Sequence, residues 1–214
     1  MSLLAAWTRG LRAGRPIVVV SGLPRSGTSM AMRMLDVGGL PVMTDGFRHA
    51  DVSNPNGYYE LERVKTLEGH GDARWLADAR GKAVKIISFL LTWLPETYDY
   101  RVVFMDRRLD EVLASQDAML RHRGEAAAID AARDARALYE EHLRQVDRFL
   151  SRRSCFSVLR LDYAQVVTRP GDAAARLADF VKVPLDVARM TAVADPALYR
   201  NRREAGLQIG GYGA

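Results

Sequence analysis

Two glycines with four residues between them, Gly22 and Gly27, follow the β-branched run Ile17-Val18-Val19-Val20 and enclose Leu23-Pro24-Arg25-Ser26. Glycine at such positions lets the main chain turn its N–H groups inward, and a following helix adds partial positive charge at its N-terminus. Strand, glycine loop and helix in that order make a cradle for an anion, of the kind that holds nucleotide phosphates. Thr28 stands where nucleoside triphosphatases carry the lysine that spans the β- and γ-phosphates, which argues against a conventional ATP or GTP hydrolase. Arg25 supplies positive charge from within the loop instead, and Ser26, Thr28 and Ser29 add three hydroxyls.

The elements that must position this loop follow from hydrophobic pattern. Residues 26–37 have helical composition closed by Gly38-Gly39, and the apolar runs 83–87, 101–105 and 156–161 read as three more strands. Residues 109–121 and 125–152 read as helices, the longer one with Ile129, Leu138, Val146 and Leu150 at roughly helical spacing. Alternating strands and helices predict an α/β fold: a parallel sheet of about four to five strands with helices on both faces, in one domain over residues 1–214. Ligands of such folds sit at the carboxyl ends of the strands, here after Val20, Ile87, Met105 and Leu161. The exception to the pattern is the irregular segment 41–60, with Asp45-Gly46 and Asn54-Pro55-Asn56-Gly57; a loop this long in a compact domain is functional or disordered. Residues 1–15 and 204–214 are expected to be peripheral or mobile.

Composition bounds the classes. A chain of 214 residues buries one substantial core, and 27% charged with 48% hydrophobic residues places it among globular rather than disordered proteins. The formal charge of +5 favours an anionic partner, but the arginines are scattered and no nucleic-acid-binding module is present, so nucleic acid is not expected as a partner. Cys155 is the only cysteine; it excludes an intrachain disulfide, and at the head of an apolar run it reads as a buried thiol. The apolar patch at residues 3–7 is too short for a signal segment or a membrane span, and the expectation is a cytoplasmic protein. His70, His122 and His142 are expected on surface helices without metal-ligand pairing. Nothing in the pattern reports an oligomeric state.

The hexapeptide Pro24-Arg25-Ser26-Gly27-Thr28-Ser29 resembles the donor-binding signature of the sulfotransferase family, which reads close to Pro-Arg-Ser-Gly-Thr-Ser/Thr. A second motif of that family, an arginine ending a later strand and a serine eight residues on in the next helix, is matched by Arg107 and Ser115. Eight residues are about two helical turns, a depth to which an arginine side chain can return. The resemblance spans residues 17–182 and is specific in those two motifs; Asn54-Pro55-Asn56-Gly57-Tyr58-Tyr59-Glu60 is a weaker echo of bacterial members, and Arg160-Leu161-Asp162-Tyr163 another that reads as structural. It implies a P-loop, sulfotransferase-like architecture and transfer of a sulfuryl group from 3′-phosphoadenosine-5′-phosphosulfate, without a required metal, to a hydroxyl or amine of a small-molecule, lipid or glycan acceptor. On that resemblance Arg25, Ser26, Gly27, Thr28 and Ser29 hold the 5′ end of the donor, and Arg107 and Ser115 clamp its 3′-phosphate. Arg200, Arg202 and Arg203 are either a shortened form of the late basic segment that closes this site in the family or a basic tail.

The reaction needs a cation at the leaving oxygen and a base for the acceptor proton. Lys85 interrupts the apolar run 83–87, where a charge is costly unless paired or used, and the family carries a catalytic lysine after its second strand. For the base the resemblance leaves alternatives: Ile87 stands where cytosolic members have histidine, and other branches use a glutamate about twenty residues after the loop arginine, where this chain has Asp45. Glu60 is favoured here, ahead of Asp45 and then His49, although Asp45-Gly46 is also a turn signal and Glu60 also suits the start of a helix. Tyr58, Tyr59, Phe47 and Trp93 are available to line an acceptor pocket or to pack as a satellite core. Two rival functions remain at this point. One is a P-loop small-molecule kinase, with Asp106 at the end of an apolar strand as its magnesium ligand; the other is a nucleotide-binding protein of the same fold without catalysis.

Overall fold

A computed structural model describes residues 14–46, 57–122 and 129–194. Five parallel strands form one sheet: β1 (Ile17–Gly22), β2 (Val42–Met43), β3 (Ala83–Lys85), β4 (Tyr100–Asp106) and β5 (Phe156–Asp162), in the spatial order β2-β3-β1-β4-β5. The helices are α1 (Thr28–Val37), α2 (Leu109–His122), α3 (Ile129–Ser151), α4 (Tyr163–Thr168), α5 (Pro170–Val181) and α6 (Val187–Thr191). Three short 3-10 segments, Glu62–His70, Arg74–Ala79 and Ser88–Trp93, complete the set among the described residues. The α/β expectation holds, with the sheet covered on both faces.

Side-chain alternation along β1 creates two cores. Val18 and Val20 face α1, α4, α5 and α6, packing with Met32, Leu35, Val166, Leu177 and Met190. Ile17 and Val19 face the 3-10 segments and α3, packing with Leu67, Leu76, Leu91, Val146 and Leu150. The chain runs from β1 outward to β2, back through β3, and then crosses to β4 on the other side of β1. This reversal places a topological switch point beyond the carboxyl end of β1, and sheets of this kind bind ligands in the crevice at that point.

Several expectations need correction. Helix α1 starts at Thr28, not Ser26, because the loop residues keep non-helical geometry up to Gly27, which has a φ of 98°. The segment 41–60 contains a strand, the dipeptide β2, whose extended state comes from pairing Val42 with Ala83 and Met43 with Val84. Among the described residues helix α3 covers Ile129–Ser151 and ends one residue before the expected 152, and Leu138 points to solvent at 68% exposure. The helical turn after Glu60 begins at Glu62, so Glu60 lies before it and not within it.

Candidate active site

The loop after β1 has the geometry of an anion cradle. Gly22 and Gly27 have φ of 148° and 98°, and neither position has room for a side chain: a Cβ on Gly22 would lie 2.4 Å from Ser26 Oγ and 2.7 Å from Met105 O, and one on Gly27 would lie 2.5 Å from the Tyr163 ring. Glycine is therefore required by space as well as by backbone. No side chain caps the N-terminus of α1 at Gly27, so its first-turn N–H groups face the loop without a protein acceptor from a capping group. Ser26 is 1% exposed and its Oγ has no hydrogen-bond partner among the described residues. An orphaned buried hydroxyl beside a helix N-terminus fits a site that gains its partner from an anion.

Arg25, Arg107 and Ser115 form one unit. Arg25, with a φ of 71°, donates from Nε to Ser115 Oγ on α2 at 3.1 Å, and Arg107 donates from Nη1 to the Arg25 carbonyl at 3.0 Å. The two residues of the second motif are thus joined through the loop arginine. The Arg107 guanidinium is buried: Nε pairs with Glu111 at 3.0 Å, and its carbon sits 4.2 Å from the centre of the Tyr163 ring. Glu111, four residues after Arg107 at a helix start, carried a readable signal but no role from sequence, and Tyr163 was read only as part of a structural echo.

Lys85 ends β3 in register with Val20, which puts its side chain on the α1 face of the sheet. It is 8% exposed, so it is buried rather than reaching to solvent. Its Nζ donates to the Tyr58 carbonyl and lies 3.7 Å from Glu60 Oε1. Ser29 Oγ also donates to the Tyr58 carbonyl, at 3.3 Å. The Glu60 carbonyl in turn accepts from Thr44 Oγ1 at 2.9 Å and from the Asp45 amide at 3.2 Å. Strand β2 thereby delivers the residues that hold Glu60 beside Lys85. Asp45 itself accepts from the Glu62 amide through Oδ2, the capping of a 3-10 turn. The sequence-predicted Arg25, Ser26, Gly27, Thr28, Ser29, Lys85, Glu60, Arg107 and Ser115 therefore come together around the crevice, and Asp45 stands behind Glu60. Phe47, His49, Asn54, Asn56 and Arg200, Arg202 and Arg203 lie outside the described residues.

Asp36, missed from sequence, joins the same network through Tyr59, which the sequence offered as pocket lining or satellite core: the Tyr59 hydroxyl donates to Asp36 Oδ2 at 2.9 Å. Burial, then the neighbouring Asp36 carboxylate, pushes this phenol up to about 12. His142 departs from the surface expectation. It is half-buried on α3, within 2.9 Å of Ser88 Oγ and stacked 3.9 Å from Phe89, and burial lowers its pKa. Trp93 meets His70 edge-on at 4.7 Å on the opposite core face from Lys85. Among the described residues, no group of three or more His, Cys, Asp or Glu is placed to hold a metal, and no helix is long and apolar enough to cross a membrane.

No protein-family profile matches the chain, and no curated protein matches it in sequence. Solved structures do match. The sulfotransferase STF1 of Mycobacterium tuberculosis superimposes with a TM-score of 0.57 at 17% identity, over 88% of this chain and 75% of that one. Sulfotransferase STF9 of Mycobacterium avium gives 0.55 at 15% identity, over 89% and 70%. The sulfotransferase domain of the curacin biosynthetic pathway gives 0.53 at 15% identity, over 91% and 94%. The five-stranded parallel sheet of this chain matches the fold of these structures, and this chain has the sulfotransferase fold.

Proposed function

We propose that the protein transfers a sulfuryl group from 3′-phosphoadenosine-5′-phosphosulfate to a hydroxyl or amine of an acceptor. The observation that carries this reading is an anion cradle, in which Ser26 Oγ has no partner among the described residues, linked through Ser29 and the Tyr58 carbonyl to a buried lysine beside a carboxylate. The donor supplies an activated sulfuryl group on a phosphate leaving group. Ser26, Thr28, Ser29, the main chain around Gly27 and Arg25 hold its 5′ end, and Arg107 and Ser115 serve the 3′-phosphate. Lys85 Nζ neutralises charge on the leaving oxygen, and a buried ammonium does so more strongly than one in water. Glu60 takes the acceptor proton on a carboxylate oxygen. Its place beside Lys85 supports that role over Asp45, whose carboxylate is engaged in capping.

The kinase reading needs Asp106 for magnesium. Arg160 Nη1 binds both oxygens of that carboxylate, at 2.7 and 2.9 Å, and Thr28 replaces the loop lysine; both observations argue against it. The test is incubation with donor labelled in the sulfuryl group and fractionated small metabolites, lipids and glycans. The wild-type protein labels one class, and Lys85→Ala and Glu60→Ala each lower transfer by at least about 100-fold with donor affinity within roughly threefold. Full activity in both variants overturns the assigned roles; a wild type that binds donor and labels nothing supports the non-catalytic alternative.

A further inference from the structure

Four described residues other than glycine have positive φ: Arg25, Tyr59, His70 and Lys182. Lys182 closes helix α5 and His70 ends a 3-10 segment, where a left-handed residue is ordinary. Arg25 lies in the phosphate loop. Tyr59, with a φ of 50°, has no helix end to explain it, and a bulky residue in this conformation is a true outlier. Such outliers persist where surrounding contacts over-determine them, and they gather at functional sites.

The contacts around Tyr59 all lead to one ammonium. The residue before it gives its carbonyl to Lys85 Nζ, and the residue after it brings a carboxylate within 3.7 Å of the same atom. Helix α1 grips this segment at both of its ends: Ser29 in its first turn donates to the Tyr58 carbonyl, and Asp36 in its last turn accepts from the Tyr59 hydroxyl. The Tyr59 ring packs on the core beneath α1. The helix that carries the phosphate loop at its N-terminus thus also holds the Lys85–Glu60 pair.

We infer that Tyr59 is a positioning residue for Lys85 and Glu60: its left-handed main chain turns the Tyr58 carbonyl and the Glu60 carboxylate onto one ammonium, and its hydroxyl, anchored on Asp36, holds that turn in place. The importance of Lys85 and Glu60 rests on the function proposed above; the coupling of Tyr59 to them does not. Tyr59→Phe and Asp36→Ala each cut the anchor while leaving ring packing and helix intact. Loss of one hydrogen bond lets residues 57–60 open more often and exposes Lys85 in proportion.

The experiment is pulse acetylation of the full chain with acetic anhydride, with Lys85 and Lys65 quantified by peptide mass mapping. Lys65, at 74% side-chain exposure, is the internal control. Each single variant is expected to label Lys85 roughly five- to tenfold faster with Lys65 unchanged, and the double variant to match the singles because both act on one bond. Unchanged Lys85 labelling in both single variants overturns the inference, as does a rise shared by Lys65, which marks general loosening. The readout needs no donor or acceptor, so failure of the sulfotransfer reading, seen as absent bisphosphate binding, is distinguishable from failure of this one. In turnover with an identified acceptor, Tyr59→Phe is expected to lower kcat and leave the donor KM unchanged.

Discussion

The two walls of the crevice are built by different means. The phosphate loop is set by main chain and space: Gly22 and Gly27 occupy positions that no Cβ can enter, and Arg107 is buried against Glu111, Tyr163 and the loop carbonyl of Arg25. The opposite wall, residues 57–60, is set by side chains reaching across from Ser29, Thr44, Asp36 and Lys85 to its carbonyls and hydroxyl. The first construction resists deformation, since every part of it is packed. The second is a set of separate tethers, each worth about 1 kcal/mol.

Breaking the loop wall should therefore cost folding stability, and breaking the other wall should cost little. The largest effect is expected for Arg107→Ala, which removes the arginine partner of a 5%-exposed Glu111 and should lower unfolding free energy by about 3 kcal/mol in a urea titration. Gly27→Ala follows, with a φ of 98° and a Cβ forced within 2.5 Å of Tyr163; about 1–3 kcal/mol is expected, together with loss of bisphosphate binding by calorimetry. Asp45→Ala removes the contact to the Glu62 amide, and about 1 kcal/mol in the same titration is the expected loss. Should that variant lose turnover while Glu60→Ala keeps it, the base is Asp45.

The smallest effect is a pH dependence. The folded protein holds the Tyr59 phenol up to about 12, above its value near 10 in an unfolded chain, so its protonated form is favoured by folding. That contribution is complete below about pH 10 and is lost as pH rises toward about 12. Tyr59→Phe should flatten the decline in stability over this window, read by thermal melts, and remove one late phenol from the ultraviolet titration.

What could be read in advance follows the same division. β1, its glycine loop and α1 were legible because each is specified by its own residues: a β-branched run, two glycines and a helical segment ended by Gly38. The sheet was legible apart from β2, since two half-buried residues carry no pattern and Val42 and Met43 become a strand only by pairing with β3. Lys85 was visible as a charge inside an apolar strand. Glu60 beside it was visible as a candidate base, but the Tyr58 carbonyl has no sequence signature and the Tyr59–Asp36 bond, which joins positions 23 residues apart, had none either. His142 was misjudged for a like reason: its burial comes from Ser88 and Phe89, which approach from a segment more than fifty residues away. Leu138 fits the helical period yet faces solvent, because period alone does not say how far along a helix the core extends.

The central claim is that the loop and the Arg107–Ser115 unit form one donor site for a 3′-phosphorylated nucleotide. Isothermal titration calorimetry without magnesium tests it directly, with adenosine 3′,5′-bisphosphate and ADP compared on the wild type and on Ser115→Ala. The account predicts that the bisphosphate binds at least about tenfold more tightly than ADP and that Ser115→Ala removes most of the difference, as expected for a lost hydrogen bond to a charged group. Equal affinities, or binding of ATP that appears only with magnesium, would contradict it.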